Sequence, residues 1–78
     1  MRYNRAVTGS ALYAAWDAAS RTGMAMYVYP VHAGWTVEPV APPFVDYYEV
    51  RSDRTATLVE KDAITGVWTQ TTRRLLVA

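Results

Sequence analysis

The spacing of apolar residues between positions 10 and 22 is helical. Four side chains recur at the i, i+3, i+4, i+7 positions of one helical face: Leu12, Ala15, Trp16 and Ala19. Ser10 or Thr8 can cap the start of such a helix, and Gly23 can stop it. We therefore expect a helix near residues 9 to 22 that packs on a sheet, with Leu12 and Trp16 as its large anchors.

The residues after this helix favour strands and a first hairpin. Residues 24–31 (MAMYVYPV) and 35–40 (WTVEPV) are rich in aromatic and β-branched side chains. Residues 32–34, between them, have the length and the glycine of a hairpin connection. Pro30 and Pro39 lack a backbone N–H, which places them at strand ends or on an edge of the sheet.

A second hairpin and a fifth strand complete the predicted elements. The hairpin comprises residues 45–51 and 55–61, with a turn at residues 52–54. A proline-containing segment, residues 41–44, predicts an extended link between the two hairpins. The long β-prone stretch of residues 67–77 predicts the fifth strand, although its alternation does not show which face is buried.

Together these elements predict an α+β fold. One N-terminal helix packs on a four- or five-stranded antiparallel sheet, whose strands we expect in meander order. A small SH3-like barrel with an N-terminal helix is the alternative. A chain of 78 residues and 8.7 kDa predicts a single domain over residues 1–78. It has no cysteine, so its stability must come from dense aromatic packing or from a partner, and six Tyr, three Trp and one Phe supply the aromatic bulk.

Charge and hydropathy limit the classes of partner. Eight basic and seven acidic residues give a net charge of +1, and no basic stripe is present, so non-specific affinity for DNA or RNA should be weak. The longest uncharged run, residues 22–37, is interrupted well short of the roughly 20 apolar residues that a membrane span needs. We expect a cytoplasmic protein, since the absence of cysteine is compatible with a reducing compartment.

The residues that could carry chemistry are scattered. His32 is the single histidine and favours the role of a solvated turn residue, because no cysteine or second histidine completes a metal site. Asp46 and Glu49 are three apart on a predicted strand and point to opposite faces. Asp53 and Asp62 fall in predicted turns, and the four glycines are isolated. The sequence therefore predicts a protein that is not an enzyme and needs no metal or cofactor.

The surplus of large aromatic residues is the more informative feature. Tyr27 and Tyr29 share one face of the first strand, and Met26 lies on the other, so both faces are apolar. Tyr47 and Tyr48 repeat this on opposite faces of the third strand. One interpretation is that aromatic pairs stiffen a small sheet or a barrel. The other is a protein-binding face, because Tyr, Trp and Arg are enriched at binding hot spots.

We place the predicted partner contact on the second hairpin. There, aromatic bulk and charges of both signs are expected together at a protruding end of the sheet. The predicted partner-binding residues are Tyr47, Tyr48, Glu49, Arg51 and Arg54. The other interpretation is a solvated hairpin with incidental charges.

The order of features resembles compact single-domain proteins encoded by phages and prophages. An alanine-rich helix (LYAAWDAASRTG) leads into MAMYVYPVHAGWTVEP and then into a PPF link. In size and architecture the chain is similar to anti-CRISPR proteins. That resemblance implies a non-enzymatic, stoichiometric inhibitor that binds a CRISPR effector subunit and occludes a nucleic-acid or nuclease site.

A small nucleic-acid-binding or adaptor module is the alternative function. It would use arginines beside tyrosine faces, on which bases stack: Arg51, Arg54, Arg73 and Arg74. Its affinity would depend strongly on salt. A gel shift at low salt discriminates the two hypotheses, and we expect no shift at micromolar protein.

Overall fold

The computed structural model describes residues 9–32, 34–43 and 45–75. Within them lie one helix and five strands: α1 (Gly9–Thr22), β1 (Met26–Val31), β2 (Gly34–Glu38), β3 (Tyr47–Val50), β4 (Thr55–Lys61) and β5 (Trp68–Arg74). The strands form one open antiparallel sheet in the order β2-β1-β3-β4-β5. This confirms the predicted α+β fold with an N-terminal helix on an antiparallel sheet. The alternative of a closed barrel does not apply to the described residues, where β2 and β5 are the two edges.

The predicted meander order is wrong at one position. β3 pairs with β1 rather than with β2, through Val28 opposite Tyr48 and Met26 opposite Val50. A tight turn after β2 would have forced β2 and β3 to pair, because hairpin loops have about two to five residues. The connection here, residues 39–46, is longer and proline-rich, so it carries the chain back to the other side of β1.

The helix ends where its sequence predicts. Gly23 has a φ of 74°, a left-handed conformation that glycine adopts without steric cost, and its N–H donates to the Ala19 carbonyl at 2.8 Å. At the other end the described part of α1 starts at Gly9, and Ser10 lies within the helix. The predicted cap Thr8 lies outside the described residues, as do four further residues of predicted elements: Ala33, Phe44, Leu76 and Val77.

The core lies between α1 and one face of the sheet. Its buried members are Ala15, Ala19, Met26, Val28, Tyr48, Val50, Ala56 and Leu75. Ala15 and Ala19 are fully buried, and their small side chains let the helix approach the strands closely. The helix contacts β1, β2 and β3, whereas every residue of β5 is exposed.

Trp16 joins the helix to the turn between β3 and β4. Its ring packs against the core and meets Tyr13 edge-on, with ring centroids 6.2 Å apart. Its indole Nε1 donates to the Ser52 carbonyl at 3.0 Å, in the turn between β3 and β4. Leu12 is also partly buried against the core, so both predicted anchors lie on the packed face.

The two aspartates that the sequence places in turns stabilise those turns. Asp53 Oδ1 accepts hydrogen bonds from the Thr55 hydroxyl at 2.6 Å and from its backbone N–H at 3.0 Å. Asp62 Oδ1 accepts from the backbone N–H groups of Ile64 at 2.8 Å and Thr65 at 3.0 Å. These bonds favour the ionised carboxylates and hold the pKa of each below its ordinary value.

These lowered pKa values predict a loss of stability in acid. A carboxylate whose pKa is lowered by folding stabilises the native state above its unfolded pKa of about 4, and this contribution disappears as the pH falls through the folded pKa. In the double variant Asp53→Asn/Asp62→Asn the side-chain oxygen remains but does not titrate. We expect the urea midpoint of this variant to fall less between pH 5 and pH 2.5 than that of the wild type.

The control for this experiment is Asp17→Asn, which removes a carboxylate from the helix surface, outside both turns. This variant and the wild type both keep Asp53 and Asp62, so the urea midpoints of both should fall more steeply in acid than that of the double variant. Equal slopes for all three proteins would contradict the role assigned to Asp53 and Asp62.

Candidate partner-binding surface

The face of the sheet opposite α1 carries a row of aromatic side chains. Because strand residues alternate between faces, Met26 and Val28 meet the helix while Tyr27 and Tyr29 point away from it. The strand pairings extend this surface to β5. We call it the open face, and its residues are Tyr27, Tyr29, Thr36, Glu38, Tyr47, Glu49, Thr55, Thr57, Val59, Lys61, Trp68, Gln70, Thr72 and Arg74.

The centre of the open face is an ordered tyrosine cluster. The rings of Tyr27 and Tyr47 meet edge-on, with centroids 5.6 Å apart at 70°. The Tyr27 hydroxyl donates to Glu49 Oε2 at 3.2 Å, and Arg51 Nη2 lies 3.0 Å from Glu49 Oε1. Burial and the negative charge of Glu49 raise the pKa of Tyr27, so its hydroxyl stays a donor at neutral pH. The cluster therefore presents fixed aromatic edges.

The proline link, residues 39–43, forms the wall of an apolar groove beside this cluster. The groove has a volume of about 560 Å³ and lies between the link and the first hairpin. Besides the link itself, its lining includes Tyr29, Pro30, Glu38 and Val45. We call this the proline groove.

A second depression lies on the other side of Pro42 and Pro43. Its volume is about 330 Å³, and it is lined by those prolines and by Tyr47, Trp68 and Gln70, with Val59 at its base. Pro42 and Pro43 line both cavities and thus form a ridge across the open face.

Large apolar side chains are exposed around the proline groove. Val40 is 70% exposed and Val45 42%, and Trp68 beyond the ridge is 41% exposed. Exposed apolar groups that cluster beside a groove are typical of interaction sites. Glu38 is the one charged side chain among the described residues that line the groove, and its Oε2 accepts from the Thr36 hydroxyl at 2.7 Å.

Comparisons with known proteins do not assign this chain to a family. The chain matches no protein-family model, no curated protein and no solved structure. Across residues 9–32, 34–43 and 45–75, no three His, Asp or Glu side chains are grouped so that they could hold a metal ion. No helix in the described part has the length and hydropathy that crossing a membrane requires.

The structure does not bring the five predicted contact residues together. Tyr47 and Glu49 lie on the open face, and Arg51 joins them through its ion pair. Tyr48 is only 7% exposed and belongs to the core beneath the helix. Arg54 lies in the turn with a φ of 71°. Successive strand residues point to opposite faces, so Tyr48 does not share a surface with Tyr47 and Glu49. The expectation of one contact surface formed by all five residues is corrected accordingly.

The turn of the second hairpin does not protrude freely, in contrast to the expectation. The Ser52 carbonyl accepts from Trp16, and the Arg54 carbonyl accepts from the Leu75 N–H at 2.8 Å. The helix and the end of β5 thus hold this turn from two sides. A partner would meet it as part of a wider surface.

Sequence reasoning missed most of the groove. The alternation of Tyr27 and Tyr29 with apolar residues did indicate an uncovered face. Val40 and Val45 gave no comparable indication, because the sequence places them at the ends of two predicted strands, residues 35–40 and 45–51. Their position beside Tyr29 follows from the path of the link over the sheet.

The arginines that the alternative nucleic-acid module would use also lie on different faces of the sheet. Arg73 and Arg74 are consecutive on β5 and therefore point to opposite faces. Arg51 is paired with Glu49. The four arginines therefore do not all share one face of the sheet, as a basic stripe along a phosphate backbone would require.

Proposed function

We propose that this domain is a non-enzymatic protein-binding module that contacts its partner through the open face and the proline groove. The observation that carries the proposal is the exposure of Val40 and Val45 beside Tyr29, in a groove of about 560 Å³. Covering these side chains removes apolar surface from water, and the sheet holds the tyrosines in place before contact. Rigid aromatic groups lose little conformational entropy on binding.

The charges near the groove indicate the chemistry of the partner. Glu38 lines the groove, and Glu49 lies in the adjacent tyrosine cluster. Arg51 offsets the charge of Glu49, so Glu38 is the negative charge that would repel phosphates at the groove, which argues for a protein partner rather than a nucleic acid. The complementary surface is an apolar ridge flanked by Lys or Arg, because basic groups can pair with Glu38 at the rim.

The resemblance to anti-CRISPR proteins supports a CRISPR effector subunit as the first partner to test. Such a subunit offers basic surfaces that bind guide and target strands, and a basic group there could pair with Glu38 at the proline groove. Inhibition would then follow from occlusion, without turnover. In this reading one copy of the domain inactivates one effector.

The experiment compares two substitutions of the same kind. Val40→Asp places a charge in the proline groove, while Ile64→Asp places it at a side chain that is 95% exposed in the turn between β4 and β5. With purified CRISPR effector complexes in a calorimetric titration, we expect Val40→Asp to weaken binding at least about 30-fold, the scale of a hot-spot loss of 2 kcal/mol. Ile64→Asp should stay within about twofold of the wild type.

Equal binding by both variants would contradict the groove as the contact surface. If no effector binds the wild type, the CRISPR part of the proposal is wrong. Capture from host lysate with the same pair of variants then tests the surface alone, and the criterion is a protein that Val40→Asp loses and Ile64→Asp retains. A gel shift with RNA at low salt would favour the nucleic-acid module.

A further inference from the structure

The outer edge of β5 is a long strand edge that no described element pairs with. β5 runs from Trp68 to Arg74 and pairs with β4 at every position. Natural edge strands are usually protected by proline, by a bulge, by short length or by charges. β5 contains no proline, and its charged residues are confined to the last two positions. Such an edge can accept a further strand.

Two hydrogen bonds show which backbone groups face this edge. Asp62 N–H donates to the Val67 carbonyl at 2.9 Å and Leu75 N–H to the Arg54 carbonyl at 2.8 Å, and both pairs continue the β4–β5 register. Hydrogen-bonded pairs alternate along an antiparallel ladder, so odd-numbered residues of β5 bond to β4. The backbone groups that point outward therefore belong to Trp68, Gln70, Thr72 and Arg74.

We propose that β5 pairs with β5 of a second copy of this chain, antiparallel, about a two-fold axis at Thr71. In this register Trp68 lies opposite Arg74 of the second copy, and Gln70 lies opposite Thr72 of the second copy. Every backbone N–H and C=O that points outward from β5 thus faces an outward-pointing N–H or C=O of the second copy. The result is a continuous ten-stranded sheet, built from two sheets of five.

The side chains are self-complementary in the same register. Trp68 and Arg74 share the open-face side of β5, so each tryptophan ring faces a guanidinium of the other copy, a cation–π arrangement. Arg73 lies opposite Thr69, and no two like charges are opposed. If the two-fold axis lay closer to Leu75, fewer residues of the two β5 strands would pair. The arginines of the two copies would then lie opposite each other. Charge and length therefore both select the axis at Thr71.

The β2 edge is a weaker candidate for self-pairing. It is five residues long, ends in Glu38 and is followed by Pro39. The helix α1 also contacts β2. These features are typical of an edge that is protected from pairing.

Hydrogen exchange on the wild-type chain tests the proposal directly. At low protein concentration the amides of Gln70 and Thr72 should exchange quickly, while those of Thr69 and Thr71 are protected by β4. At millimolar concentration we expect Gln70 and Thr72 to gain at least about tenfold protection. Light scattering on the same samples should show a shift from 8.7 kDa toward twice that mass.

Gln70→Pro removes an N–H that points away from β4, a position where an edge strand tolerates proline. By symmetry it deletes two bonds of the proposed interface, and we expect at least about tenfold weaker dimerisation with an unchanged thermal melt in dilute solution. Gln70→Thr keeps the N–H and is the control. Val40→Asp should dimerise normally, which separates this interface from the proline groove.

Three results would each overturn the proposal. One is a wild-type chain that remains monomeric at 1 mM. Another is a dimer in which Gln70 and Thr72 gain no protection, because it would use another surface. The third is a Gln70→Pro variant that dimerises as tightly as the Gln70→Thr variant.

Discussion

Replacing Trp16 with alanine is expected to lower the free energy of unfolding by about 3 kcal/mol, near the lower end of the range for large aromatic side chains in cores. Trp16 packs against the core and also binds the Ser52 carbonyl at 3.0 Å, so the substitution releases the helix from the β3–β4 turn. A domain of this size has a total stability of about 4–12 kcal/mol, so the loss is a large part of it. Urea denaturation followed by circular dichroism measures it.

Trp16→Phe separates the two contributions. Phenylalanine keeps most of the packing against the core but cannot donate to Ser52, so we expect a smaller loss of about 1 kcal/mol, the usual net worth of one hydrogen bond. An unchanged urea midpoint for Trp16→Ala would show that the helix does not depend on this anchor.

The two neighbouring tyrosines of β3 should respond differently to the same substitution. Tyr48 is 7% exposed in the core beneath α1, so Tyr48→Ala should cost about 3–4 kcal/mol. Tyr47 is only partly buried on the open face, where its ring meets Tyr27. We expect Tyr47→Ala to cost about 1 kcal/mol, close to the value of one aromatic pair. Chemical denaturation of both variants provides the comparison.

Tyr48→Phe is the control for this pair, because it keeps the ring in the core. It should lose far less stability than Tyr48→Ala. The sequence-based hypothesis placed Tyr48 at a partner contact, and it expects the opposite outcome: a stable Tyr48→Ala protein with weaker partner binding. Equal stabilities of the Tyr47→Ala and Tyr48→Ala variants would contradict the assignment of the two faces.

The local elements of this fold could be predicted from the sequence. The helical segment follows from the apolar spacing, and its C-terminal end follows from Gly23, whose φ of 74° ends the helix. Both hairpins follow from short connections between β-prone segments. Asp53 and Asp62 take the turn roles that their positions indicate. Each of these features depends on contacts between residues close in the chain, so a short stretch of sequence is enough to predict it.

The candidate site could be predicted only in part. Alternation indicates that Tyr27 and Tyr29 share a face, and it separates Tyr47 from Tyr48. It does not indicate which face the helix covers, because both faces of these strands are apolar. The sequence alone therefore could not assign Tyr48 to the core.

The order of the strands and the groove depend on the tertiary structure. Residues 39–46 can connect β2 either to a neighbouring strand or to the far side of β1, and their prolines only require an extended path. Pairing β3 with β1 puts Val28, Tyr48 and Val50 side by side under the helix, which buries them together. The same choice brings Val40 and Val45 to Tyr29 and forms the proline groove. Such long-range contacts are chosen by the total apolar surface they bury, which no single segment of sequence encodes.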